Sequence, residues 1–142
     1  MTDDIVRIGA LTLKFLIDDK ASNGTMMLFE VTVPEQAKVP APHYHREVDE
    51  AVYGLSGTLT FTVGAVAYEI SAGQFVFVPR GVVHHFKNNH TGEARILSML
   101  TPASIGKAFF VETAAVMNAG GPPDIEKVKA IMQRHGLVPA AG

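Results

Sequence analysis

"GTLTFTVGAVAYEISAG" spans residues 57–73. Leu59, Phe61 and Val63 fall on one side of an extended chain, and Thr58, Thr60 and Thr62 fall on the other. Side chains alternate with period two along a strand, so this stretch reads as a half-buried antiparallel strand. Gly64 turns the chain, and residues 66–70 read as the return strand. "SAG" at 71–73 is the next turn.

The same grammar extends both ways. Upstream, residues 11–17 alternate weakly, and "TMMLFEVTV" at 25–33 is rich in strand formers. Pro34, Pro40 and Pro42 then interrupt pairing. Residues 50–56 give another strand. Downstream, "QFVFV" at 74–78 is stopped by Pro79 and Gly81. Residues 84–88 and 94–100 follow, separated by "NHTG". Many short strands with Gly and Pro at the corners predict an all-β barrel or sandwich.

The pattern changes after Pro102. Ile105, Ala108, Phe109 and Val116 recur at helical spacing, with Gly106 as a weak point. "GGPP" at 120–123 is a break. Ile125, Val128, Ile131 and Met132 predict a second, amphipathic helix, begun by Pro122, Pro123 and Asp124 and capped by Gly136. The expectation is one domain over 1–142: a barrel over about 5–102 and a helical tail over about 104–137.

Composition narrows the function classes. Hydrophobic residues make up 47% of the 142, charged residues 18%, and the mean hydropathy is +0.19. That is a globular composition. A net charge of −2 and the lack of any basic cluster argue against a nucleic-acid partner. The absence of cysteine excludes disulfides, thiolate metal sites and thiol nucleophiles, and fits a reducing compartment. The start, "MTDDIVRIG", is acidic where a secretory leader needs basic residues. No run approaches the roughly 18 apolar residues of a membrane span. The expected location is cytoplasmic. The apolar excess, with the uninterrupted "FVFV" at 75–78, predicts a strand buried on both sides and hence a homodimer.

The chemistry concentrates in "APHYHREVDEAVYGLSG", residues 41–57. His43 and His45 stand at i and i+2, on one face of a strand. Glu50 is at an odd offset from His45, so a turn or bulge within "REVD" must intervene for it to join them. His84, just past the Pro79–Gly81 corner, supplies a third imidazole. Three imidazoles and a carboxylate form a nitrogen-rich set suited to a divalent first-row metal. His85 faces away from His84, and His90 lies in a turn. Both read as structural or surface residues.

Two spaced motifs carry a family resemblance. The first is His43, His45, Glu50 and Gly57; the second is Gly73, Pro79, Gly81, His84 and Asn88. Together they resemble the paired motifs of the cupin superfamily, over about residues 25–100. In finer detail the chain is similar to the small single-domain cupins related to quercetin dioxygenases. Gly54, Ser56, Gln74 and Val83 depart from what is common there. None is a candidate ligand, but they bear on pocket shape. The resemblance implies a double-stranded β-helix, or jelly roll, with one divalent metal per chain inside the barrel. Fe, Mn, Ni, Co or Zn would serve, held by His43, His45, Glu50 and His84. It further implies a dioxygenase acting with O₂ on a small enol, phenol or diketone, with Glu50 as base. Leu59, Phe61 and Phe86 would wall the substrate pocket, and Asn88 would brace the turn. A non-redox isomerase or lyase and a non-catalytic binding cupin stand as the alternatives.

Overall fold

The computed structural model describes residues 4–140, so both extreme ends of the expected domain lie outside the described residues. The strands in chain order are β1 Asp4–Ile8, β2 Leu11–Ile17, β3 Met27–Val33, β4 His43–His45, β5 Asp49–Ser56, β6 Leu59–Val63, β7 Val66–Ile70, β8 Phe75–Val78, β9 His84–Lys87 and β10 Ala94–Thr101. The helices α1 Lys107–Met117 and α2 Ile125–Arg134 follow, and then a last strand, β11 Leu137–Pro139.

Two antiparallel sheets face each other. One has six strands in the order β1-β2-β3-β10-β5-β8, and the other five in the order β11-β4-β9-β6-β7. Between β3 and β10 the chain passes repeatedly from one sheet to the other, giving the expected jelly-roll barrel. The β6–β7 hairpin that opens the sequence reading pairs Leu59 with Ile70 and Val63 with Val66. Its two-residue turn begins at Gly64, whose φ of +60° lies in the left-handed region that such hairpins use.

The barrel interior follows from the alternation. Ala94, Ile96, Ser98 and Leu100 of β10 point inward, as do Met27, Phe29, Val31 and Val33 of β3. Leu59, Phe61 and Ile70 meet them from the facing sheet. On β8 only Val76 and Val78 are buried, while Phe75 and Phe77 are 76% and 56% exposed. The "FVFV" run is therefore covered on one side alone within the chain. Phe75 and Phe77 join Tyr53, Leu28, Leu97 and Met99 around an apolar groove of about 440 Å³ on the outer face of the six-stranded sheet.

The tail packs on the barrel as two helices. Phe110 of α1 lies 5.5 Å from Phe15 and 5.2 Å from Phe29, ring centre to ring centre. Gly106 is the residue before α1 rather than a flaw inside it. It offers no side-chain cap, and the Lys107 amide donates instead to Asp19 Oδ1 at 3.0 Å. A Cβ at position 106 would meet that carboxylate at 2.7 Å, so glycine makes room for a cap supplied from the β2–β3 connection. Asp124 caps α2 by accepting from the Lys127 amide, and Gly136 ends it at a φ of +88°. Glu112 of α1 ties the two helices by accepting from Arg134 and pairing with His135. Beyond α2 the chain does not simply end the tail: β11 returns to the barrel and pairs with β4.

Candidate metal centre

His43 and His45 project from the same face of β4, their rings 5.2 Å apart. β4 meets β9 at a single pair, His43 opposite His84, which brings the His84 ring to 4.7 Å from both others. The three imidazoles offer nitrogens that all lie within 4.8 Å of one another. Two of the rings are oriented by their own backbone. His43 Nδ1 donates to the Ala41 carbonyl at 2.8 Å and His84 Nδ1 to the Val82 carbonyl at 3.0 Å. A carbonyl only accepts, so each Nδ1 carries a proton and Nε2 is the nitrogen turned toward the site. His45 Nδ1 is the one buried side-chain polar atom among the described residues without a hydrogen-bond partner. The nearby Val48 backbone favours its charged form.

Glu50 arrives from the opposite wall. Residues 46–48 bend the chain out of the five-stranded sheet and into β5 of the six-stranded one. The odd offset from His45 is thus resolved by a change of sheet, not by a bulge in one strand. Glu50 Oε1 stands 3.5 Å from His84 Nε2, and Oε2 accepts from Ser98 Oγ at 2.9 Å. The sequence reading missed Ser98. Its signal is a polar residue at an inward position, between Ile96 and Leu100 on β10, where it is 1% exposed.

Electrostatics separates the four groups. Burial lowers the His45 pKa to about 4, and it lowers His43 as well, with help from the neighbouring His84 charge. For His84 burial works in the same direction, but the hydrogen bond and charge of Glu50 outweigh it and the pKa rises. Burial pushes the Glu50 carboxyl up, yet His84, His45 and Ser98 together hold it below the usual carboxylate range. His43 and His45 are therefore neutral donors beside a carboxylate at neutral pH. A deeply placed carboxylate and an orphaned imidazole nitrogen need a compensating partner. Three imidazoles and one carboxylate are a donor set that a divalent first-row cation satisfies, so the residues fit the metal that the resemblance implies.

The expected pocket wall divides. Leu59 and Phe61 are 0% and 1% exposed, so they belong to the barrel core. Phe61 lies nearly parallel to the His84 ring at 6.4 Å and stacks at 5.7 Å on Phe86, which is only half-buried. Tyr68, opposite Phe61 on β7, is 41% exposed and extends the same face toward solvent. Its parity with buried Ile70 is the sequence signal for that placement. Asn88 donates to the Val33 and Gly92 carbonyls and accepts from the His90 amide, tying the β9–β10 turn to β3. His90 itself pairs with Glu69 on the surface.

Comparisons with known proteins agree with this architecture. The profile of the Cupin domain family matches residues 29–100. Protein SchB of Streptomyces halstedii is 27% identical over 90 residues, covering 63% of this chain and 65% of SchB. The HTH-type transcriptional regulator PuuR of Escherichia coli (strain K12) is 25% identical over 104 residues, covering 72% of this chain and 55% of PuuR. The chain thus spans less than two thirds of the length of these curated relatives. An RmlC-like cupin from Shewanella frigidimarina NCIMB 400 superposes with a TM-score of 0.62 at 23% identity, covering 72% of this chain and 86% of that one.

Proposed function

The chain belongs to the cupin domain family, and from that premise we propose that it is a metal-dependent dioxygenase acting on a small enol, phenol or diketone. The observation that carries this reading is the convergence of His43, His45 and His84 from one sheet, whose nitrogens lie within 4.8 Å of one another, with Glu50 of the other sheet 3.5 Å from His84 Nε2. A divalent metal there would supply Lewis acidity, and an ion preferring six-coordination would leave two positions open beside four protein ligands.

The chain's own residues do the rest. His43 and His84, braced through Nδ1, present Nε2. Ser98 holds one oxygen of Glu50 and leaves the other facing His84. That second oxygen is placed to take the proton of an enol or phenol hydroxyl, which makes the substrate an electron-rich enolate or phenolate. Phe86 and Tyr68 give a planar substrate an apolar approach. Phe61, sealed beneath them, keeps water from the far side of His84.

A binding cupin without turnover is the second reading, favoured by the match to a transcriptional regulator. A non-redox isomerase or lyase would use the same ligands and base. We also place the protein in the cytoplasm as a homodimer. The lack of cysteine supports the first and the apolar groove on the outer sheet face the second. Among the described residues no helix is long and apolar enough to cross a membrane.

The test is metal analysis of protein purified without an affinity tag, beside O₂ consumption with a panel of enols, phenols and diketones. Glu50→Gln keeps an oxygen for the metal and loses the base. Metal should largely remain while turnover falls by roughly 10²–10⁴-fold. A metal-loaded wild type that consumes no O₂ with any member of the panel moves the assignment to the non-redox or binding reading.

A further inference from the structure

We infer that Asp49 and Arg80 form a positioning clamp that holds the Glu50 and His84 halves of the metal centre at their mutual distance. This rests on the metal-site reading above. His84 is laddered to Val63 of β6 and Glu50 to Leu100 of β10, but few bonds run between the two segments that carry them. The β5–β8 ladder ends at the pair Glu50 opposite Val78, and β4 touches β9 at one pair only. The corner at residues 79–81, which leads from β8 to His84, would hang beyond the last ladder bond.

Asp49 reaches across that gap. Its Oδ1 accepts from the Arg80 backbone amide at 2.8 Å and from Nε at 3.2 Å, and Oδ2 accepts from Nη2 at 3.0 Å. One carboxylate therefore grips both the guanidinium fork and the main chain of the corner. The next residue completes a junction. The Gly81 amide donates to the His45 carbonyl at 2.7 Å, with Gly81 at a φ of +82° that a side chain would oppose. Two consecutive residues thus bind the neighbour of Glu50 and the backbone of His45. Three residues later the same segment presents His84.

The bland alternative is a rim ion pair that stabilises a turn. Arg80 and Asp49 side chains are 50% and 27% exposed, and such pairs add little to global stability. That separates the two readings. A rim pair leaves metal affinity alone, with at most a small shift in melting temperature; a clamp shifts affinity and coordination.

The experiment strips the full-length protein with a chelator and titrates it with Co(II) against a competing chelator. It records the d–d absorption of the bound ion and the melting temperature of the metal-free protein. Asp49→Asn and Arg80→Ala should each weaken Co(II) binding by about 10–100-fold, the scale of residues that orient metal ligands, and alter the d–d band. The double variant should fall well short of the product of the two single losses, because both changes strike the same clamp. Arg80→Lys keeps the charge and stem but lacks the fork. It should show a smaller loss in the same direction, and it carries the test should Arg80→Ala not fold. Folded variants with wild-type affinity and spectrum overturn the clamp and leave the metal centre standing, as do losses that multiply in the double variant. A wild type that takes up no Co(II) overturns the clamp together with the reading it rests on.

Discussion

On the inner face of the six-stranded sheet, Glu50 and Ser98 stand among Val52, Ile96 and Leu100; on the outer face, Tyr53, Phe75, Phe77, Leu97 and Met99 stand toward solvent. One set of strands therefore carries a carboxylate inward and aromatic rings outward. Neither arrangement is comfortable alone. A carboxylate taken out of water costs several kcal/mol unless it is paired; His84, His45 and Ser98 pair it here, while a buried nitrogen of His45 is left without a partner. A contiguous apolar patch on a surface loses the gain of burial and usually marks a contact. On the proposed reading each face is completed from outside the chain, the inner one by a cation and the outer one by an apolar partner.

The largest effect should come from the inner face. Replacing both His43 and His45 with alanine removes two of the four proposed donors. Metal affinity should fall by well over the roughly 10²-fold loss typical of residues that merely orient ligands. Elemental analysis showing undiminished metal in that variant would break the inner half of the comparison. Next in size is the outer face. Phe75→Glu with Phe77→Glu places two charges in the groove, and a central aromatic anchor is commonly worth about 2 kcal/mol or more at an interface. The dimer should dissociate at micromolar concentration by light scattering. A wild type that is already monomeric there would leave the outer face without its proposed cover.

A smaller effect sharpens the inner face in the absence of metal. His45 has a folded pKa of about 4, below the 6.5 of an unfolded chain. Between those values the unfolded state binds the extra proton, so stability falls as pH drops from about 6.5 toward 4. His43 acts in the same direction. His84, raised by Glu50, opposes them by contributing stability that is lost as pH rises through its folded value. Denaturant unfolding of the metal-free protein should show a net loss on the order of 1–2 kcal/mol between pH 7 and pH 5. A flat profile would mean that the imidazoles are not held neutral. The smallest effect belongs to His90, which pairs with Glu69 on the surface. His90→Ala should leave metal content unchanged and stability within about 0.5 kcal/mol of wild type.

Much of this was readable in advance because alternation survives wherever one face is buried. The 57–73 hairpin, the strands around it and the two tail helices all appear where periodicity and turn residues place them. The spacing of His43, His45, Glu50 and His84 was equally legible, and the three imidazoles do converge with Glu50 beside them. What was hidden depends on partners distant in sequence. β11 is three residues long and ends in a proline, too short to show a period, so its pairing with β4 is visible only in the fold. The sheet change between His45 and Glu50 leaves no mark beyond a polar stretch. Phe61 and Phe86 share parity, and only packing distinguishes the sealed ring from the half-open one. The clamp at Asp49 and Arg80 joins two charged residues with nothing in their local sequence to single them out.

The pairing of β4 has a consequence for when the centre can exist. That strand has one ladder pair with β9 and three with β11, and Ala140 adds a backbone bond to Pro42. A chain emerging from the ribosome exposes His43 and His45 early, yet the strand that flanks them, Leu137–Pro139, lies far downstream in the sequence. Until it arrives, the two histidines belong to a proline-bounded stretch with almost no ladder to hold it, and such long-range pairing forms late. On the proposed reading, an ion is captured only once β11 has paired with β4. Since affinity alone ranks first-row metals the same way in most nitrogen and oxygen sites, the supply of free ions in the compartment where the finished chain folds would decide which metal it keeps.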